Sequence, residues 1–214
     1  MHVQIAVFHG FDEIDVFGPF EALAAGGAEV ELAAVRGAGV IRSQRGVSLN
    51  VERTFLDPTT PRPDGVVVPG GGWLNRAEHG AWAEVEAGTL PRVLVGARAE
   101  LGWIASVCSG GMILARAGVL RDHRATTNRG CFDEFRPLVG EVVDQRVVDD
   151  GEVITAGALT SGLDLGIHLI RRFRGERAAD QAIASLEYPP NLGSVAGWSD
   201  HRTRRGYWPR GRCL

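Results

Sequence analysis

Residues 102–115 read Gly102-Trp-Ile-Ala-Ser-Val-Cys108-Ser-Gly-Gly-Met-Ile-Leu-Ala115. The apolar run before Cys108 predicts a short buried strand, and the apolar residues after the two glycines predict the start of a helix. A cysteine between them occupies a sharp strand-to-helix turn, comparable to the serine of a Gly-x-Ser-x-Gly nucleophile elbow. Backbone N–H groups at a helix start favour a thiolate, so we expect a nucleophile whose pKa lies below the free value of roughly 8.5. The pattern also suits an unreactive buried cysteine.

Strand and helix patterns alternate on both sides of this segment. Four apolar runs predict strands at residues 3–8, 29–35, 66–68 and 153–155. Residues 40–51 predict a small hairpin, and helices are predicted near residues 78–87, 90–100, 157–173 and 178–186, with a further helix that has Pro19 in its first turn. The long helix is expected to bury one apolar face, formed by Leu163, Ile167, Ile170 and Phe173, with Thr160 or Ser161 as N-cap. This order predicts a single α/β domain with a mostly parallel sheet and helices on both faces.

Three polar or glycine-rich segments follow predicted strands and are expected to meet. In a parallel sheet the carboxyl ends of the strands share one edge, where ligands bind. Asp15 follows the first strand, Gly70 to Gly72 follow Val68, and Cys108 follows Val107. The glycine loop suits a tight turn, although it could also supply a backbone N–H to an oxyanion hole with the Ser109 amide. Asp15 suits a helix N-cap as well as a catalytic carboxyl.

Composition excludes several classes of function. The chain has 214 residues, 44% of them hydrophobic, and a net charge of −3, as expected of an ordinary globular protein without a nucleic-acid surface. All 23 basic residues are arginine, which excludes a Schiff-base lysine and a P-loop lysine. The three cysteines have no paired spacing and the six histidines form no cluster, so we predict neither a disulfide framework nor a metal site.

The sequence near the two ends of the chain predicts the cellular location of the protein and the bounds of its domain. No apolar run reaches the roughly 20 residues of a membrane span, and no basic segment typical of a signal peptide precedes the first strand, so a cytoplasmic protein without membrane contact is expected. The alternating pattern fails near Ser194, where arginine, glycine and tryptophan dominate. We therefore predict one domain over residues 1–192 and a loosely ordered Arg-rich tail over residues 193–214.

Six short motifs, in this order and spacing, resemble the ThiJ/PfpI superfamily, and most of all its isocyanide hydratase branch. They are Ile14-Asp-Val-Phe-Gly-Pro19, Val68-Pro-Gly-Gly71, Ser106-Val-Cys-Ser-Gly110, Arg124-Ala-Thr-Thr127, Thr160-Ser-Gly-Leu-Asp164 and Leu186-Glu-Tyr188. The resemblance implies a flavodoxin-like fold of the class I glutamine amidotransferase type and a homodimer. It also implies cysteine chemistry on a small molecule without a cofactor.

The resemblance assigns roles to individual residues. Cys108 would be the nucleophile, Asp15 the carboxyl that moves protons, and the amides of Gly71 and Ser109 would hold developing negative charge. The substrate pocket would include Gly72, Thr127, Asn128 and Gly157. In the hydratase branch the cysteine attacks the terminal carbon of an isocyanide, and water then releases an N-formamide.

Two positions depart from the hydratase pattern. Ser109 replaces the usual threonine, and Asn128-Arg129 replaces the usual His-Trp, which makes the expected pocket wall more polar. Two alternatives stay open for this reason: a glyoxalase-like or deglycase-like enzyme acting on α-oxo aldehydes, and a sensor in which Cys108 is simply oxidised. Ser109 argues against the peptidase branch, which has His after Cys. The glutamine amidotransferases, which need a downstream His-x-Glu, are excluded.

Overall fold

The computed structural model describes residues 1–188, which contain eleven strands and seven α-helices. The strands are β1 (His2–Val7), β2 (Glu29–Ala34), β3 (Gly39–Arg42), β4 (Ser48–Val51), β5 (Arg53–Thr54), β6 (Gly65–Val68), β7 (Trp103–Val107), β8 (Arg124–Ala125), β9 (Glu141–Val142), β10 (Val147–Asp150) and β11 (Val153–Ala156). The helices are α1 (Glu13–Ala25), α2 (Ala81–Ala87), α3 (Thr89–Ala97), α4 (Gly110–Arg116), α5 (Phe132–Phe135), α6 (Ser161–Arg174) and α7 (Glu176–Ser185). Short 3-10 turns occupy Arg98–Glu100, Arg129–Cys131 and Arg136–Leu138.

A seven-stranded sheet forms the centre of the fold, in the order β10-β11-β7-β6-β1-β2-β5. All neighbouring strands are parallel except β10 and β11, which form an antiparallel pair at one edge. Helices α1, α6 and α7 pack on one another, as do α2, α3 and α4, so two groups of helices flank the sheet. The predicted α/β class with a mostly parallel sheet is confirmed.

The sheet reverses its strand order beside β1, which determines where a site can form. The chain leaves β1 for β2 on one side and later returns to β6 on the other. Every residue of β6 and β7 is buried, as expected for central parallel strands with both faces covered. The crevice at the carboxyl ends of β1, β6 and β7 is therefore the position where open α/β sheets bind ligands.

The start of α1 differs from the prediction. The helix begins at Glu13, with Asp12 as the N-cap whose carboxylate accepts a hydrogen bond from the Ile14 N–H at 3.2 Å. Pro19 lies inside the helix rather than in its first turn, and it lacks the N–H that would bond the preceding turn. Close packing of α1 on α6 offsets this loss, because Pro19 lies against Gly162, where a Cβ would be crowded. Asp15 consequently belongs to the first turn of α1 and is not its cap.

The N-cap position predicted for α6 is confirmed, the predicted burial of Phe173 is wrong, and the hairpin prediction is confirmed. Thr160 is the N-cap residue of α6, but its hydroxyl makes no capping bond and instead accepts a hydrogen bond from Arg146 at 3.2 Å. Phe173 is not buried in the predicted apolar face; it is 41% exposed and stacks on Trp103. The hairpin predicted over residues 40–51 forms as β3 and β4.

The predicted Arg-rich tail, and the end of the predicted 1–192 domain, lie outside the described residues. Within residues 1–188, no helix has the length and apolar character that crossing a bilayer requires.

Candidate active site

Cys108 lies on a strained turn between β7 and α4. Its φ angle is 54°, in the left-handed region that a residue with a side chain seldom adopts. Three hydrogen bonds hold the turn: the Cys108 N–H donates to the carbonyls of Ala156 and Gly157, at 3.1 and 2.9 Å, and the Thr127 hydroxyl donates to the Cys108 carbonyl at 2.7 Å. The surroundings therefore fix the elbow that the sequence predicts, as expected where strain serves function.

Glycines let three segments meet at this turn. A Cβ at Gly110 would overlap the carbonyl oxygen of Val68, and a Cβ at Gly70 would overlap the hydroxyl of Ser109. Only glycine allows the start of α4 to contact the end of β6 so closely. The convergence of Asp15, the glycine loop and Cys108 is therefore present in the structure.

Asp15 is a fully buried carboxyl that faces the Cys108 sulfur from α1. Its Oδ2 accepts a hydrogen bond from the Gly70 N–H at 3.0 Å, whereas Oδ1 has no well-formed hydrogen bond in the described part of the chain. Burial, and secondarily the charge of Asp12, raises the pKa of Asp15 to about 8, although hydrogen bonds from Gly70, Cys108 and Leu159 oppose this. A pKa near 8 means that Asp15 favours its protonated form at neutral pH, beside the Cys108 sulfur.

The expected low pKa of Cys108 is wrong for this structure. The side chain is 6% exposed, and burial, followed by the charge of Asp15, raises the pKa of the Cys108 thiol well above its ordinary value. The Ser109 amide at the helix start does lower this pKa, but α4 has only seven residues and its field does not compensate for the loss of water. Cys108 is therefore a thiol at rest, and its proton must leave during a reaction.

One of the two predicted charge-holding amides, that of Gly71, is already engaged in a hydrogen bond. The Gly71 N–H donates to the Ser109 hydroxyl oxygen at 3.0 Å, and Ser109 is buried beside the sulfur. The Gly72 N–H donates to the side-chain oxygen of Gln44 at 3.0 Å, so the β3–β4 hairpin anchors the glycine loop. The site brings Gly71, Gly72 and Ser109 together, and their roles toward a substrate or an oxyanion stay predictions.

The three remaining predicted pocket residues all touch Cys108. The Thr127 hydroxyl and the Gly157 carbonyl bind its backbone, as described above. The side-chain nitrogen of Asn128 lies 3.4 Å from the Cys108 sulfur. Thr127 and Gly157 thus hold the elbow in place, and a substrate contact from either residue stays a prediction.

Leu159 belongs to the site although sequence reasoning missed it. Its backbone N–H lies close enough to both Asp15 and Cys108 to lower the pKa of each, and its φ angle of 48° is strained for a leucine. A backbone N–H donor cannot be recognised from the residue type. Only the neighbouring Thr160-Ser-Gly motif therefore indicated this loop. In residues 1–188, no group of three or more His, Cys, Asp or Glu side chains is arranged to hold a metal ion.

The sequence is similar to proteins of a known family. Residues 1–172 match the model of the DJ-1/PfpI family. The chain belongs to the DJ-1/PfpI family. An isonitrile hydratase of Pseudomonas putida is 31% identical over 192 residues, which cover 89% of this chain and 79% of that protein.

Two further relatives support the family and its fold. A deglycase of Pyrococcus abyssi is 30% identical over 156 residues, covering 73% of this chain and 89% of the relative. The crystal structure of a ThiJ/PfpI family protein from Pseudomonas syringae superposes with a TM-score of 0.78 at 29% identity, covering 92% of this chain and 78% of the other. Relatives of this family therefore include proteins named for two different enzymatic activities.

Proposed function

We propose that this protein is a cysteine-dependent hydratase that adds water to an isocyanide and releases an N-formamide. The observation that carries the proposal is the buried pair of Cys108 and Asp15, in which a carboxyl whose pKa is raised to about 8 faces the sulfur. An isocyanide carbon needs a nucleophile and a proton at the same atom, and this pair supplies both. The similarity to the Pseudomonas putida isonitrile hydratase supports the same reaction.

In the first half of the reaction the thiol adds across the terminal carbon. The sulfur forms a bond to that carbon, Asp15 gives its proton to the same carbon, and the thiol proton passes to the Asp15 carboxylate. The product is a thioimidate bound to Cys108, with Asp15 protonated again. No charge is left in the site, which suits an environment that raises the pKa of both groups.

In the second half a water molecule adds to the thioimidate carbon. Asp15 gives its proton to the nitrogen and takes one from the water, which leaves a tetrahedral carbon bonded to sulfur, nitrogen and a hydroxyl. Collapse of this carbon forms the formamide carbonyl and expels the sulfur, which regains the hydroxyl proton through Asp15. Water and the isocyanide are consumed in equal amounts, and no cofactor is required.

Two exposed apolar side chains support a substrate with an apolar substituent. Ile14 precedes Asp15 in α1 and is 45% exposed, and Leu159, whose amide faces the pair, is 36% exposed. An alkyl or aryl group attached to the isocyanide nitrogen would bury part of this surface, at roughly 25 cal/mol per Å² of apolar area.

A second candidate is a deglycase-like or glyoxalase-like enzyme that acts on α-oxo aldehydes. The similarity to the Pyrococcus abyssi deglycase favours it, because the same thiol and carboxyl could add to an aldehyde carbon. A thiol adding to a carbonyl, however, makes an alkoxide that needs donors at oxygen, and the Gly71 amide is engaged by Ser109.

Incubation of the purified protein with cyclohexyl isocyanide and, separately, with methylglyoxal tests the proposal. Proton NMR should show an N-formamide from the first substrate and a much lower turnover of the second. The matched control is Cys108→Ser, which keeps the shape of the elbow and should lose the activity. Turnover of methylglyoxal alone would establish the second candidate instead, and turnover of neither substrate would contradict both.

A further inference from the structure

The side chain of Asn128 bridges the nucleophile and a neighbouring turn. Its Oδ1 accepts a hydrogen bond from the Gly130 N–H at 2.9 Å, and its Nδ2 lies 3.4 Å from the Cys108 sulfur. A backbone N–H can bond only to the oxygen end of a side-chain amide, so the capping bond determines which end faces Cys108. The end that faces the sulfur is therefore the donor.

Two further hydrogen bonds keep Asn128 in this position. The Cys131 N–H donates to the Asn128 carbonyl at 2.8 Å, which closes the turn, and the preceding residue, Thr127, is bonded to the Cys108 backbone. These bonds join the turn to the elbow. The amide is preorganised toward the sulfur and loses little rotational freedom when charge develops there.

The acidic groups near the sulfur would repel negative charge on it, whereas a hydrogen-bond donor would stabilise that charge. Asp15 faces the sulfur from α1, with Asp12 behind it, and both carry negative charge when ionised. The neighbouring Arg129 points away and pairs with Asp144 at 2.6 Å. Among the side chains that the structure describes, Asn128 alone donates a hydrogen bond to this sulfur.

We propose that Asn128 is a catalytic residue whose side-chain N–H stabilises negative charge on the Cys108 sulfur, and that this, rather than substrate binding, is its main role. As the isocyanide carbon takes the proton of Asp15, the resulting carboxylate takes the thiol proton, and the sulfur keeps the electron pair of the broken S–H bond. The Asn128 amide donates to the negative charge that develops on the sulfur until the new bond to carbon forms. The same donor assists when the sulfur is expelled. The inference rests on the proposed function only in taking Cys108 as the nucleophile.

The rate at which iodoacetamide alkylates Cys108 tests this role without any isocyanide. Asn128→Ser keeps an oxygen that can cap Gly130 and removes the donor to the sulfur. Asn128→Asp keeps the cap geometry more closely and replaces the donor with a carboxylate oxygen. The rate is measured from pH 6 to 10 by mass spectrometry of the Cys108 peptide, which separates this residue from the other cysteines. Arg129→Ala, at the adjacent exposed residue, is the matched control.

We expect the alkylation rate at pH 7 to fall about tenfold in Asn128→Ser, which corresponds to the loss of one hydrogen bond to a charged group. Asn128→Asp should show a larger fall, and its pH profile should move to higher pH. Arg129→Ala should stay within twofold of the wild type.

If both Asn128 variants alkylate at the wild-type rate across the pH range while their KM for isocyanide rises, the residue binds substrate and the proposal is overturned. A protein that turns over no isocyanide would contradict the proposed function, yet the alkylation result would still decide this inference.

Discussion

Replacement of Asp15 by asparagine should stabilise the fold and abolish most of the activity. In the folded protein the pKa of Asp15 is raised from 3.8 to about 8, so between these pH values the native state binds a proton that the unfolded chain releases. Stability therefore falls as pH rises from 4 to 8. At pH 7 the solution is about 3 pH units above the pKa of the carboxyl in the unfolded chain. At 1.36 kcal/mol per unit, the free energy of unfolding is therefore about 4 kcal/mol lower than at pH 4. The asparagine side chain would keep an acceptor for the Gly70 N–H and carries no such penalty.

Urea unfolding followed by tryptophan fluorescence measures this effect at pH 4, 7 and 8.5. The gain in the free energy of unfolding of Asp15→Asn over the wild type should be small at pH 4. This gain should rise to a few kcal/mol at pH 7 and level off above pH 8. The matched control is Asp180→Asn, at an exposed carboxylate of α7, which should change the stability by less than about 0.5 kcal/mol at every pH. A difference for Asp15→Asn that does not vary with pH would show that the folded protein does not hold the proton.

The same variant separates structural from catalytic roles of the carboxyl. Asparagine cannot transfer a proton, so turnover of isocyanide should fall by roughly 10²- to 10⁴-fold, the usual contribution of general acid–base catalysis. Turnover within about threefold of the wild type would remove Asp15 from the mechanism. A variant that is both more stable and less active is the pattern expected where a site holds a group in an unfavourable environment for function.

Three further predictions follow from the geometry of the site. The kcat/KM for isocyanide should decline as pH rises through about 8, because Asp15 must carry its proton to act as an acid; a flat profile up to pH 10 would contradict this. Gly110→Ala should lower the free energy of unfolding by about 1–3 kcal/mol, because its Cβ would overlap the Val68 carbonyl, whereas Gly96→Ala, with open space around it in α3, should leave stability unchanged or raise it. Sedimentation velocity at micromolar concentration should show a homodimer, and a fully active monomer would count against that expectation.

The elements that carry a clear hydrophobic pattern were predictable from the sequence. β6 and β7 consist almost entirely of apolar residues, and both are central strands. The elbow at Cys108 was predictable for a related reason, because an apolar strand runs directly into a cysteine and two glycines. The start of α1 was not predictable from the sequence, because Pro19 suggests a helix start. Only the contact with α6 allows this proline inside the helix.

The electrostatics of the site depend on tertiary contacts that the sequence does not display. The helix-start argument for a low pKa at Cys108 considers one local effect, whereas burial by several distant segments outweighs it. The hydrogen bond between Gly71 and Ser109, and the approach of the Leu159 amide, likewise join residues far apart along the chain. The residue types in the sequence were sufficient to locate the candidate site. The protonation states of its groups depend on burial and on neighbouring charges, which only the fold shows.

Mass spectrometry of the acid-quenched reaction tests the central claim most directly, namely that Cys108 forms a covalent bond to the isocyanide carbon. Protein mixed with cyclohexyl isocyanide for a short time should gain the mass of one intact isocyanide, since the thiol adds without a leaving group, and fragmentation should locate it on Cys108. Asp15→Asn should accumulate less of the adduct, and Cys108→Ser should show none. Formamide production with no adduct on Cys108 at any time, or with full activity retained in Cys108→Ser, would contradict the account.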